Sequence, residues 1–119
     1  MVNSEITGNH APRFGGGIRT FGSNARAVVV DSLISDNSAG IVGGGFDNAF
    51  GLLQVFDSSI VANQADIAGG GIQNFNGTLE LSNSELRENH ADINGGALHN
   101  DNGQGRLIDA VLFGNSATL

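Results

Sequence analysis

The sequence predicts an all-β fold, a right-handed parallel β-helix of about four to five coils, with 26 residues and three short strands in each coil. Three observations favour it: a polar motif that recurs about every 26 residues, glycine triplets in the same rhythm, and short segments of alternating apolar residues. The polar motif is Asn-x-Ala, and its asparagines are spaced 28, 26, 26 and 26 residues apart. They are Asn9, Asn37, Asn63, Asn89 and Asn115.

The glycine triplets keep the same period and exclude a helical repeat. Each is followed by one apolar residue, as in Gly43-Gly44-Gly45 before Phe46, and the fourth copy ends in alanine instead, as Gly95-Gly96-Ala97. Glycine disfavours helix, and no stretch of ten or more residues carries a helical apolar pattern. The unit therefore contains strands joined by tight turns.

Alternating segments supply the strands and the direction of their side chains. Leu53-Gln54-Val55 and Leu79-Glu80-Leu81 read as strands bounded by turn residues. Strands rise about 3.3 Å per residue and neighbours lie about 4.8 Å apart, so three strands with turns fill one coil and equivalent residues stack. The right-handed sense follows by analogy with other parallel connections. Three stacks are predicted to face inward, and they are Ala27, Val29, Leu53, Val55, Leu79, Leu81, Gly105 and Leu107; Ile6, Ile34, Ile60, Leu86 and Leu112; and Ile18, Phe46, Ile72 and Leu98.

Two of these motifs resemble repeats of a known family. The pattern of Ile or Leu, two residues, then Asn, together with the glycine triplets, is similar to the polymorphic outer-membrane protein repeats of autotransporter passengers and adhesin-like proteins. The family usually has phenylalanine where this chain has Ile or Leu. The resemblance implies a parallel β-helix scaffold and an extracellular or cell-surface location. The matching segments are Ile6 to Asn9, Ile34 to Asn37, Ile60 to Asn63, Leu86 to Asn89 and Leu112 to Asn115.

The composition excludes some classes of partner and some types of site. The 119 residues carry a formal net charge of −7, which disfavours nucleic acid and anionic membrane surfaces as partners. No apolar run is long enough to insert in a membrane, no signal peptide is recognisable in this chain, and there is no cysteine. We expect residues 1–119 to form one solenoid, either a fragment or a stackable unit without caps.

The asparagine ladder is the most regular polar feature, and we interpret it as structural. Stacked amides can donate to and accept from one another at a buried bend. Replacing Asn63 by alanine should therefore cost about 1–3 kcal/mol.

A cofactor is not expected, although a weak calcium site is an open alternative. Asp31 and Asp57 occupy one register in adjacent coils, and calcium prefers oxygen ligands. No loop with six ligands accompanies them, so turn capping is the favoured interpretation. No catalytic residue is predicted, since arginines are scattered and no nucleophile motif is present.

Outward-facing apolar residues indicate a contact face. The leading functional hypothesis is a non-catalytic structural or interaction module, an adhesin-like scaffold that self-associates end to end or laterally, or that meets a cell-surface or glycan partner. The alternative is a β-helix that binds or cleaves carbohydrate, like a lyase or glycosidase. The candidate contact residues are Val30, Phe56, Ile108, Leu33, Val111 and Phe113.

Overall fold

The chain winds as a parallel β-solenoid of about four turns in the computed structural model, which describes residues 1–118. Within these residues there is no helix, and so none long and apolar enough to cross a membrane. The first two coils contain β1 (Glu5–Thr7), β2 (His10–Ala11), β3 (Ile18–Phe21), β4 (Arg26–Val30), β5 (Leu33–Ser35), β6 (Ser38–Ala39), β7 (Phe46–Ala49) and β8 (Leu52–Phe56). The next strands are β9 (Ser59–Val61), β10 (Gln64–Ala65), β11 (Ile72–Phe75), β12 (Thr78–Ser82), β13 (Glu85–Arg87), β14 (His90–Ala91), β15 (Leu98–Asp101), β16 (Gln104–Ile108), β17 (Val111–Phe113) and β18 (Ser116–Ala117).

The strands stack into four parallel sheets, one more than the three strands per coil that the sequence predicts. In spatial order, sheet 1 is β1-β5-β9-β13-β17, sheet 2 is β2-β6-β10-β14-β18, sheet 3 is β3-β7-β11-β15 and sheet 4 is β4-β8-β12-β16. The additional one is sheet 2, whose strands have two residues each. Two residues are too few to show an alternating pattern, so this sheet could not be separated from its turn.

Residues with positive φ turn the chain between sheets. The corner between sheets 4 and 1 is two residues long, and its first residue has a positive φ, for example Asp57 at 50° or Asn83 at 48°. Aspartate and asparagine tolerate this left-handed conformation better than most residues. The recurrence of the same corner in every coil is what keeps the coils in register, and the pairing shifts by 26 or 28 residues throughout.

The core follows the predicted inward stacks. Leu53, Val55, Leu81 and Ile60 are fully buried, and Phe46 is 1% exposed. These side chains form a continuous column because each coil repeats the same inward positions.

Leu107, predicted to face inward, is 41% exposed. It lies on β16, at the edge of sheet 4, where no described coil packs above it. Its register with the fully buried Leu81 keeps it in the predicted inward column, and its exposure comes from the lack of a covering coil among the described residues.

The glycine triplets serve two purposes at the entrance to sheet 3. The first glycine of each has a positive φ, 65° at Gly69. The second passes close to neighbouring backbone, so that a β-carbon on Gly70 would meet the carbonyl oxygen of His90. Glycine is the residue that meets each of these demands without strain, and it lets the chain pass close to the sheet 2 strand of the next coil.

Candidate functional site

The outer surface of sheet 3 carries the most distinctive side chains of the solenoid. Its strands β3, β7, β11 and β15 are in register, so one outward row contains Arg19, Asp47, Gln73 and His99. The next outward row places Phe21, Ala49, Phe75 and Asp101 side by side. Aromatic, basic and acidic groups thus meet on one face.

Three exposed phenylalanines form a row across three coils. The rings of Phe21 and Phe50 lie 6.1 Å apart between centroids, and those of Phe50 and Phe75 lie 5.4 Å apart. Both pairs pack edge to face, at interplanar angles of 83° and 84°. Their exposed fractions are 64%, 44% and 37% for Phe21, Phe50 and Phe75. Such a cluster of solvent-exposed rings is typical of a contact surface.

Phe50 reaches this row from an unfavourable backbone conformation. Its φ is 68°, whereas the equivalent corner positions hold Gly22, Asn76 and Asn102, which adopt positive φ more easily. The left-handed conformation costs a residue with a β-carbon about 1–2 kcal/mol. Ala49 occupies the sheet position between Phe21 and Phe75, and the ring for this coil is supplied by the residue after it. Strain of this kind is commonly kept at functional sites.

Arg19 and Asp47 form an ion pair beside the rings. Arg19 Nε donates to Asp47 Oδ2 at 2.9 Å, and the side chains are 39% and 3% exposed. The guanidinium carbon of Arg19 lies 4.5 Å from the ring centre of Phe14 and 4.8 Å from that of Phe21, so it is held between two aromatic faces. Burial raises the pKa of Asp47 above 3.8, and the charge and hydrogen bond of Arg19 oppose that rise.

The neighbouring coil continues the polar floor with Gln73, which is 4% exposed. His99 Nδ1 and Gln73 Oε1 are hydrogen-bonded at 2.8 Å, with the imidazole donating. Within residues 1–118, Gln73 Nε2 donates no hydrogen bond and Asp47 Oδ1 accepts none. Two polar side chains that are almost fully buried therefore each keep one unused hydrogen-bonding atom.

These side chains enclose a cavity of about 320 Å³, which we call the aromatic groove. It is lined by Phe14, Arg19, Phe21, Val42, Asp47, Ala49, Phe50, Gln73, Phe75 and Asp101. Mostly apolar walls with a few fixed polar groups are characteristic of a small-molecule or oligomer binding site.

The asparagine ladder predicted from the sequence is formed as a column. Asn37 Nδ2 donates to Asn63 Oδ1 at 3.1 Å, and Asn63 Nδ2 donates to Asn89 Oδ1 at 3.0 Å. The backbone N–H of each asparagine also donates to the next amide oxygen. Asn9 and Asn115 continue the column at its two ends. The ladder lies at the bend between sheets 1 and 2, away from the aromatic groove.

The six candidate contact residues do not form one patch. Val30 and Phe56 are register neighbours on sheet 4 and are half-buried, but Ser82 separates Phe56 from Ile108. On sheet 1, Leu33 is separated from Val111 by Ser59 and Glu85. Val111 and Phe113 are 53% and 51% exposed on β17.

The calcium candidates lie at the corner between sheets 4 and 1. Asp57 Oδ1 accepts a hydrogen bond from Asn83 Nδ2, and Asp31 occupies the same corner one coil earlier. Across residues 1–118 no three side chains of His, Cys, Asp or Glu are grouped closely enough to hold a metal ion. The structural role that these residues do have is to turn the chain with positive φ.

The aromatic groove and a second asparagine ladder were not predicted from the sequence. Phe21 and Phe75 keep the register of the repeat, but Ala49 interrupts the row in the coil between them and Phe50 lies one position after it, so phenylalanine does not recur in every coil. The second ladder, at Asn48, Asn74 and Asn100, has a spacing of 26 that was visible in the sequence. Extending strand assignment through the residues after each glycine triplet would have found both.

Fold and groove together define the class of protein: a parallel β-solenoid with an aromatic, partly charged groove on one sheet. No model of a known protein family matches the chain, and neither does any curated protein or solved structure. Its repeat architecture and the chemistry of the groove therefore carry the functional argument.

Proposed function

We propose that the chain is a non-catalytic interaction module, a rigid solenoid scaffold that presents the aromatic groove to a partner. The observation that carries the proposal is the row formed by Phe21, Phe50 and Phe75. Exposed aromatic rings in contact are typical of a contact surface, and backbone strain, here at Phe50, is commonly kept at functional sites.

The polar groups of the groove support binding rather than catalysis. A glycosidase needs two carboxyl groups flanking the scissile bond, one acting as general acid and the other as nucleophile or general base. Asp47 already has one oxygen committed to Arg19, and Asp101 lies two coils further along the sheet. We therefore assign these groups to recognition.

The resemblance of the repeats to polymorphic outer-membrane protein repeats supports an adhesin-like role at a cell surface or outside the cell. Self-association is the other partner hypothesis from the sequence. The groove suits either role, because an aromatic surface can meet a foreign surface or a second copy.

A bead assay tests the proposal without assuming a ligand. Beads coated with the chain are incubated with bacterial and with animal cells, and both attachment and bead clumping are counted. The key variant is Phe50→Asn, because Asn76 and Asn102 already occupy the equivalent corner with positive φ, so the variant should keep the fold. We expect at least a fivefold loss of attachment or clumping.

A matched control comes from Ile67, which is 41% exposed and lies outside the groove. Arg13 stands at the equivalent place in the first coil, so Ile67→Arg is tolerated by the repeat. It should behave like the unmodified chain. Equal attachment and clumping by Phe50→Asn and the unmodified chain would refute the groove as contact surface.

A further inference from the structure

We propose that the aromatic groove binds a neutral oligosaccharide, with sugar rings packed on Phe50 and Phe75 and sugar hydroxyls hydrogen-bonded to Asp47 and Gln73. This inference rests on the proposed function, because it names the ligand class of the same groove.

Two polar atoms on the floor of the aromatic groove have no hydrogen-bond partner among the described residues. Asp47 and Gln73 are 3% and 4% exposed and are register neighbours in adjacent coils, about 4.8 Å apart along the stacking direction. Asp47 Oδ1 offers an acceptor and Gln73 Nε2 offers a donor. A hydroxyl group donates and accepts at once, so the hydroxyls of a sugar can satisfy both atoms. A purely apolar ligand would leave both unpaired in a dry site, which is unfavourable.

The aromatic row offers apolar surfaces on which sugar rings can pack. One face of a pyranose ring presents mainly C–H groups, and such a face packs on an aromatic ring while the hydroxyls at its edge remain free to hydrogen-bond. The rings of Phe50 and Phe75 belong to adjacent coils and lie 5.4 Å apart. Because these two rings are nearly perpendicular, at 84°, an extended oligosaccharide running along the solenoid axis would pack on the face of one ring and meet the edge of the other, with the polar floor beside it.

The charges around the groove favour a neutral sugar over an ionic ligand. The aromatic position that suits a cation is already taken by the guanidinium of Arg19, which lies between Phe14 and Phe21. An anionic sugar would face Asp101 on the rim and a chain of net charge −7, while the charge of Arg19 is compensated by Asp47. A neutral ligand avoids both repulsions, and Asp101 can accept a hydrogen bond from a further hydroxyl.

The test is a titration of the isotope-labelled chain followed by amide chemical shifts, which report binding residue by residue. The probes are the hexamers of β-1,4-linked glucose and of N-acetylglucosamine, and a hexamer of galacturonic acid as the anionic probe. We expect at least one neutral hexamer to shift amides of β7 and β11, and the anionic hexamer to bind at least tenfold more weakly.

Two variants locate the site. Phe50→Asn removes one ring, and Gln73→Leu keeps the volume but removes the donor Nε2 together with the acceptor of His99 Nδ1. Each should lower the affinity for the neutral hexamer at least tenfold while the remaining amide spectrum stays that of the folded chain. Ile67→Arg, outside the groove, should leave the affinity unchanged.

The possible failures are distinguishable from failure of the proposed function. Absence of shifts in β7 and β11 with both neutral hexamers, or tighter binding of the anionic hexamer, overturns the ligand class. If Phe50→Asn still abolishes attachment in the bead assay, the groove remains the contact surface and only the ligand class is wrong. If Phe50→Asn changes neither assay, both proposals fail.

Discussion

Replacing Asn63 by alanine should be among the most damaging single substitutions in the chain. Asn63 Oδ1 accepts from the backbone N–H and from Nδ2 of Asn37, and its own Nδ2 donates to Ile34 O and to Asn89 Oδ1. All four bonds are buried, and alanine removes every one of them. The backbone N–H of Asn37 then has no replacement partner at this bend.

The expected magnitude follows from those lost bonds. A buried group left without a partner costs about 1–3 kcal/mol. Alanine leaves at least one donor unpaired and weakens the hydrogen bonds of the other groups, so we expect the free energy of unfolding to fall by about 3 kcal/mol. For a domain of this size that corresponds to a fall in melting temperature of about 10 °C. Urea denaturation followed by far-ultraviolet circular dichroism gives the free energy of unfolding directly.

Asn9 provides the matched control, since it has the same residue type and register but is exposed. Its amide donates to Thr7 O and Asn37 Oδ1, and within residues 1–118 no amide from a preceding coil donates to it. Asn9→Ala should therefore cost less than about 1 kcal/mol. Equal losses for Asn9→Ala and Asn63→Ala would refute the buried ladder as the source of stability.

Three further predictions concern other positions of the solenoid. Thr20→Asn should stabilise the fold by about 1 kcal/mol, because the buried Oδ1 of Asn48 has no donor and an asparagine one coil earlier would supply it; a midpoint in urea that does not rise would contradict this. Gly70→Ala should unfold the chain or cost several kcal/mol, because its β-carbon would collide with backbone oxygens. Gly105→Ala should cost about 1 kcal/mol or less, because a β-carbon there would have no atom within 4 Å. Similar melting temperatures for the two variants would contradict this. Because the pKa of Asp47 is raised in the folded chain, the contribution of Asp47 to the free energy of unfolding should decline as pH rises above 3.8. The stability of Asp47→Asn relative to the unmodified chain should therefore increase over that pH range. A stability difference that does not change with pH would contradict a raised pKa at Asp47.

The repeat explains why so much of the fold was predictable. Equivalent positions in every coil need the same kind of residue. Leu79 therefore supports the inward position of Leu53, and Asn89 supports the ladder position of Asn63. A pattern repeated four times averages out local ambiguity that would obscure a single strand. Leu107 shows the limit of this logic, because burial needs a covering coil as well as the right position.

The candidate site was harder to predict because it depends on departures from the repeat. Phe50 stands where other coils have glycine or asparagine, and it supplies the ring that Ala49 lacks. The ion pair of Arg19 with Asp47 joins two coils through side-chain placement, which spacing alone does not reveal. Phe21 and Phe75 keep the register of the repeat, and Phe50, which departs from it, completes the aromatic row.

Contacts between phenylalanine rings provide the most direct test of the stacked solenoid and its aromatic groove. In a chain with isotope-labelled phenylalanines, nuclear Overhauser effects are expected between the rings of Phe21 and Phe50 and between those of Phe50 and Phe75, which lie 6.1 and 5.4 Å apart. Both contacts require the coils to stack in register and the groove to be assembled on sheet 3. Detection of both supports the stacked solenoid and its aromatic row, and absence of both in the folded chain would contradict them together.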